Sequence, residues 1–404
     1  MQALITGGGI AGPVAAMALQ RVGIEATVYE AHRPADPLVG SYFTITPNGM
    51  AALAEVDAAH LVETVGFPTR RTVLWNHAGR RLAAISLESS RPASPPAFTV
   101  KRSLLVNLLQ EEAGRRGIRI EYERRLMDAE AGPEGGVLAR FDDEGSVGGD
   151  LLVGCDGIHS VVRRVIDPGA PDGRYVGLTN FGGITRAAAE GIEAEGFHMI
   201  FGRRAFFGYA ATPGGDVVWF VNHPRPRIGR AEASSTSAGE WKRSLAELFA
   251  DDAGPAAGLI EAGELELYAD NTHDLGHVPT WHRGPMIVLG DAAHAPAPSS
   301  GQGASMAIED AVVLAHTLAT ERSISEAYQT YEGLRRERVE RIVAYGARTS
   351  NQKAPGPVGR FLRDMLLPVV FRFFVTDESA RWMYDYRVSD DFDTTLAGSA
   401  EAGR

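Results

Sequence analysis

Apolar residues along this chain switch between two spacings, and the switches mark its elements. Residues 2–6 form a short apolar run, 11–22 place apolar residues at helical spacing, and 25–29 return to a strand pattern. A strand–helix–strand unit is therefore predicted at the start. A hairpin is expected near 73–87, where Asn76-His77-Ala78-Gly79 supplies the turn. Pro92, Pro95 and Pro96 mark a crossing segment, and Leu104, Leu105, Leu108 and Leu109 put a helix over 103–116. From about 175 to 270 the runs shorten. Segments 178–185, 196–201, 206–212 and 216–222 read as strands separated by turns rich in Gly and Arg, an antiparallel sheet inserted into an α/β scaffold. The α/β pattern resumes with a strand at 285–289 and a helix at 303–320, and beyond about 325 the chain reads as helical. Residues 361–375 are apolar but carry Arg363, Asp364, Pro368 and Arg372, the mark of a packing helix or partner surface.

Composition narrows the function classes. The 404 residues carry a net charge of −11, the wrong sign for a nucleic-acid or anionic-membrane binder. No window holds the roughly 18 uninterrupted apolar residues of a transmembrane span, and no leader precedes the first strand, so a cytoplasmic location is expected. The one cysteine, Cys155, excludes an intrachain disulfide and a cysteine-based metal cage. It follows Leu151-Leu152-Val153-Gly154 and reads as a core residue. No metal is expected.

Three motifs carry chemistry. Gly7-Gly8-Gly9-Ile10-Ala11-Gly12 sits between a strand and a helix, where a pyrophosphate needs bare backbone and a helix amino end. Glu30 closes the next strand, where a carboxylate accepts hydrogen bonds from a ribose diol. This unit alone does not separate FAD from a nicotinamide dinucleotide. The second motif, Gly154-Cys155-Asp156-Gly157, ends an apolar strand before a helix that begins near Ser160. Asp156 there serves either a ligand hydroxyl or the turn itself. The third is Gly290-Asp291-Ala292-Ala293-His294-Ala295-Pro296, followed by Gly301-Gln302-Gly303 and a helix. Asp291 at a strand's carboxyl end is well placed for a ligand, and the Gly-Gln-Gly turn offers N–H groups at a helix start. His294 reads as a loop-packing histidine more readily than as a base.

In order and spacing the three motifs resemble those of the single-component FAD-dependent aromatic hydroxylases, the p-hydroxybenzoate and salicylate hydroxylase-like flavoprotein monooxygenases. The resemblance covers about residues 1–350. It implies an α/β fold with a Rossmann-like FAD-binding domain (1–72, 98–174 and 275–345), an inserted antiparallel β-sheet substrate domain (73–97 and 175–274) and a helical C-terminal segment (346–404). It also implies site roles. Gly7, Gly9 and Gly12 would face the FAD pyrophosphate and Glu30 the adenosine ribose. Arg102 would contact FAD, and Asp156 would support the FAD site and the approach of NADH or NADPH. Asp291 would hold the ribityl chain, with Pro296, Gly301 and Gly303 beside the flavin ring. Asn48 matches a family position of structural character. One departure stands out: Asn180-Phe181-Gly182-Gly183 occupies a strand where many relatives carry a Trp-Arg pair.

The activity so implied is monooxygenation of an aromatic small molecule by FAD, NAD(P)H and dioxygen through a flavin hydroperoxide, in a monomer or homodimer. A reductase or dehydrogenase on the same scaffold is the alternative. Tyr42, Phe201, Phe207, Tyr209 and Trp219 are the expected substrate wall, with Phe43 nearby, and their apolar character favours a multi-ring or polyketide-like substrate over a benzoate. His223 and Arg203 are the candidates for a substrate-directed base or clamp. Alternation along the strands does not say which face turns inward, because a one-residue slip inverts it.

Overall fold

The computed structural model describes residues 1–34, 36, 40–132, 135–351 and 377–392. Its first layer is a six-stranded sheet. Five strands run parallel, in the spatial order Met286–Val288, Leu151–Gly154, Gln2–Thr6, Glu25–Tyr29 and Arg119–Glu121, and His282–Arg283 adds an antiparallel edge. Leu4, Ile5, Leu152, Val153, Ile287 and Val288 are fully buried. That near-continuous apolar character is what a parallel sheet covered on both faces requires. Helix Ala11–Arg21 packs on the sheet and against helix Gly303–Thr320, both buried along most of their length.

The second layer is a seven-stranded sheet built from Arg71–Asn76, Arg81–Ser86, Arg174–Thr185, Gly196–Phe201, Phe206–Ala211, Val217–Pro224 and Glu264–Asp274. The strands expected between 175 and 270 are all present within a few residues of their predicted bounds. Between its last two strands the chain forms helices Ala238–Glu247 and Ala256–Ala262, which the sequence pattern did not reveal. Also unforeseen is the meander Leu126–Ala131, Val137–Phe141 and Ser146–Gly149. Its strands are short and half polar, so they lack a clear period-2 signal. A small sheet of Tyr42–Ile45, Phe98–Lys101 and Phe67–Pro68 lies between the layers.

Helix Ile324–Asn351 follows the predicted helical trend. The apolar stretch 361–375 lies outside the described residues. Helix Asp377–Tyr384 and the turn after it clasp the crossing segment, where Asp385 accepts hydrogen bonds from Ser89 and Ser90 and Asp390 pairs with Arg91.

Candidate active site

Sheet register brings the three motifs to one edge. Thr6 pairs with Gly154, and Gly154 with Val288, so the residues that follow emerge side by side at the carboxyl ends of neighbouring strands. Cys155 N–H donates to Thr6 O (2.8 Å), Leu289 N–H to Gly154 O (3.1 Å) and Gly7 N–H to Tyr29 O (2.8 Å). Ligands of open α/β sheets bind in the crevice outside this edge.

The glycines divide into packing and access roles. A β-carbon on Gly7, whose φ is +97°, would stand 2.3 Å from Cys155 O, and one on Gly12 would stand 1.9 Å from Gly7 O. Both positions are closed to any side chain. Gly9 meets nothing within 4 Å, so the loop's outer surface is open backbone. No side chain caps the amino end of helix Ala11–Arg21, nor that of helix Gly303–Thr320. Two uncapped helix ends beside one crevice favour negative charge there.

Asp291 is the carboxylate poised for a ligand. It is partly buried and hydrogen-bonds to no group among the described residues. Burial raises its pKa above the usual carboxylate range, against the pull of Arg102 and His294. A β-carbon on Gly303 would lie 3.5 Å from Pro296 and 3.9 Å from Asp291 Oδ1, so these three residues share one wall. Gly301 holds φ +62° in the turn before that helix. Arg102 opens helix Arg102–Arg115 with its side chain exposed, and its N–H donates to Ser41 O (2.9 Å).

Other expected ligand groups already have protein partners. Glu30 Oε2 accepts from Gly8 N–H (2.6 Å) and Oε1 from His32 N–H (2.8 Å), so this carboxylate braces the glycine loop. Gln110 Nε2 donates to Gly8 O (2.5 Å) and accepts from Tyr122 through Oε1 (2.9 Å), a support that no local signal announces. Asp156 Oδ2 accepts from Val161 N–H (2.7 Å) and Val162 N–H (3.2 Å), capping helix Val161–Ile166 together with Ser160. Its Oδ1 is buried and unpaired, and burial raises its pKa despite those hydrogen bonds. Burial also pushes the Cys155 thiol up, consistent with a packing role.

Beneath the Gly290–Gly303 loop lies a buried charge network. Arg335 reaches Glu309 (2.6 Å) and Asp310 (2.7 Å), all three fully buried, and Arg338 adds a second contact to Glu309 (2.9 Å). Asp310 Oδ2 also meets His294 Nε2 (2.6 Å) and accepts from Gly290 N–H (3.0 Å). Burial works against the ionised Asp310, yet His294 and Arg335 bring its pKa down to about 2. His294 thus anchors the loop as a packing histidine. Asn48 Nδ2 donates to Glu309 (2.6 Å) and Gln302 (3.1 Å), tying helix Pro47–Glu55 to the same network.

The second sheet supplies the far wall, and register shows which face turns inward. Phe207, Tyr209 and Trp219 belong to the core formed with Trp241, Leu245 and Phe249 under the two helices. Phe207 and Tyr209 are therefore absorbed in this core and do not border the pocket, contrary to expectation, whereas Trp219 packs in the core and also borders the pocket. Trp219 Nε1–H donates to Thr185 Oγ1 (3.0 Å), and its ring fills the space where a side chain on Gly183 would go, 2.4 Å away. The opposite face presents Phe197, Val218 and Phe220, which pack with Tyr42. A pocket opens between them, bordered by Gly40, Ser41 and Tyr42 on one side and Gly182, Gly183, Phe197, Val218, Trp219 and Phe220 on the other. Phe201 lies on this inward face, edge-on to Phe206 in a cluster with Leu74. Phe43 packs against the core that contains the first sheet.

Arg203 and His223 are not brought to the pocket. Arg203 sits in an exposed turn, with its N–H on Asp252 (3.1 Å) and its guanidinium 3.7 Å from the same carboxylate. His223 pairs with Thr179 on the outward parity of its strand, and burial with Arg225 lowers its pKa to about 4. A Phe207→Leu variant is therefore expected to lower stability, as large-to-small changes in a core do, but to leave product yield per reductant unchanged. Phe220→Leu is expected to lower that yield. Peroxide and product assays on both variants check the assignment of faces.

Comparison with known proteins places these features in a family. Residues 1–345 match the model of the FAD binding domain. The FAD-dependent urate hydroxylase of Klebsiella pneumoniae is 32% identical over 349 residues, covering 85% of this chain and 88% of the relative. The aurachin C monooxygenase/isomerase of Stigmatella aurantiaca is 29% identical over 343 residues, covering 84% and 86%. Among solved structures, Klebsiella pneumoniae HpxO complexed with FAD and uric acid is similar at a TM-score of 0.79 and 27% identity, covering 91% of this chain and 93% of that one.

Proposed function

This chain belongs to the FAD binding domain family and is an FAD-dependent monooxygenase of the aromatic-hydroxylase type, and on that premise we propose that it hydroxylates a multi-ring aromatic or polyketide-like small molecule, with NADH or NADPH as reductant. The observation that carries the substrate reading is the inward face of the second sheet. Gly182 stands opposite Tyr42 with only ordinary contacts at 3.5 Å and beyond, so the wall recedes where a side chain would otherwise fill it. Phe197, Val218 and Phe220 make the rest of that wall apolar. A second fused ring that buries about 60 Å² there gains about 1.5 kcal/mol at 25 cal/mol per Å². Uric acid, bound by the solved relative, is itself a fused two-ring molecule.

FAD fits the crevice by the donor set of this chain. Gly7, Gly9 and Gly12 with the uncapped helix Ala11–Arg21 would take the pyrophosphate. Asp291 would accept from ribityl hydroxyls, Arg102 would contact the cofactor, and Pro296, Gly301 and Gly303 would border the ring. Glu30 and Asp156 would add to the adenosine ribose and nicotinamide sides through the loops they brace. When bound, the flavin supplies two-electron redox chemistry and the activation of dioxygen. The protein's part is to order the loop after Gly290, to present a helix amino end toward negative charge, and to exclude water with an apolar wall. The acidic charge balance and single thiol support a cytoplasmic location.

The test is incorporation of labelled dioxygen into product, with bicyclic and single-ring phenols compared. Label in the bicyclic product and a higher rate with bicyclic phenols are expected. Gly182→Leu is expected to lower kcat/KM for bicyclic phenols at least tenfold with FAD content unchanged. A preference for single-ring benzoates would overturn the size argument.

A further inference from the structure

Beside the pocket, the two domains meet through a buried ion pair. Lys101, on the strand paired with Tyr42, places Nζ 2.8 Å from Glu266 Oε1, with side chains only 6% and 12% exposed. Lys101 Nζ also lies 5.6 Å from the centre of the Tyr42 ring. Glu266 acts electrostatically on that phenol, reinforcing the rise that burial imposes on its pKa. The pair thus adjoins Tyr42, one of the residues that border the pocket.

Local backbone geometry brings Glu266 there. Gly182 pairs with Leu267 and Gly183 with Leu265, so Glu266 is the extra residue of a bulge in the strand paired with two glycines of the pocket wall. A bulge re-aims the side chain it carries. The carboxylate uses Oε1 for Lys101, while Oε2 is buried and finds no donor among the described residues. A buried acceptor left unpaired is costly, and a ligand donor relieves that cost.

We propose that Glu266 is a specificity-determining residue whose Oε2 accepts a hydrogen bond from an O–H or N–H of the substrate, with Lys101 as its positioning partner. The inference rests on the multi-ring reading of this pocket and narrows it to ring systems that bear a hydrogen-bond donor. Analogues capped by methylation leave the oxygen unpaired and bind weakly, because a site built around a donor rejects the compound lacking it.

The experiment uses FAD-loaded enzyme without reductant. Binding of 4-hydroxyquinoline and of 4-methoxyquinoline is followed by the change in flavin absorbance. Wild type is expected to bind the hydroxy compound roughly 10- to 100-fold more tightly, the range of a hydrogen bond to a charged acceptor. Glu266→Gln, which keeps the shape, is expected to lose most of that ratio while the methoxy compound binds as before. Lys101→Met, which strands the carboxylate, is expected to reduce the ratio too. Flavin content and thermal midpoint of each variant separate this from a purely structural seam, which would shift both ligands equally. Binding of neither quinoline to wild type would overturn the multi-ring reading and this inference with it. Binding of both with equal affinity, or a ratio unchanged in Glu266→Gln, would overturn the role of Glu266 alone.

Discussion

Asp291→Ala is expected to raise the FAD dissociation constant by roughly 10- to 150-fold, the equivalent of losing about 1.5–3 kcal/mol of charge-assisted hydrogen bonding. The carboxylate stands just past the strand Met286–Val288, shares a wall with Pro296 and Gly303, and has no hydrogen-bond partner among the described residues. Burial raises its pKa, so desolvation by the surrounding protein works against the ionised form. Ligand hydroxyls would satisfy it. The same logic gives a second sign: without FAD, removing this carboxylate should leave the thermal midpoint unchanged or raise it. Asp291→Asn keeps a carbonyl acceptor and should lose less affinity than alanine. Arg102→Ala should also weaken binding. Fluorescence titration of the apoprotein with FAD, beside melting of the apoprotein, measures both signs. Wild-type affinity in both Asp291→Ala and Arg102→Ala would place the cofactor's polar contacts elsewhere.

Arg335→Met should destabilise the protein by about 3–5 kcal/mol, because it leaves buried carboxylates short of their counter-charge. Glu309 and Asp310 are adjacent in sequence and both fully buried, and Arg335 lies between them. Arg338 reaches only Glu309, and His294 only Asp310, so neither replaces it. The exposed pairs of Arg140 with Asp128 and Glu130 supply the contrast. Arg140→Ala there should cost less than about 1 kcal/mol. Acid adds a further check. The folded pKa of Asp310, about 2, lies below the unfolded value. Its contribution is therefore complete above about pH 4 and lost as pH falls through 2. Denaturation midpoints of Arg335→Met and Arg140→Ala, measured at neutral pH and at pH 3, test the ranking. Equal effects in the two variants would mean that the network is solvated in solution.

The same network marks the limit of what can be read along a chain. Loop residues Gly290 and His294, helix residues Glu309 and Asp310, and Arg335 on the following helix converge from three elements. Each residue type is ordinary in its local window. A Glu-Asp pair inside an apolar helix is a hint of buried partners, since carboxylates are rarely buried unless paired. It does not name Arg335 as the partner.

Legible along the chain is the local unit whose physics is contiguous. A strand, three glycines and an uncapped helix specify a tight turn of open backbone, because there is no room for side chains at Gly7 or Gly12. The strand ends carrying Asp156 and Asp291 were equally legible, since each follows an apolar run into a glycine turn. Tertiary structure decided the rest. It gave Glu30 and Asp156 protein partners that only folding brings into reach. It also decided the faces of the inserted sheet. Alternation left open which face turns inward, and the expected wall of Phe201, Phe207, Tyr209 and Trp219 mixed residues of both faces. Helices Ala238–Glu247 and Ala256–Ala262 resolve the choice by covering one face as core. The other face is left toward Tyr42, because a strand's two sides differ only in what the rest of the chain packs against them.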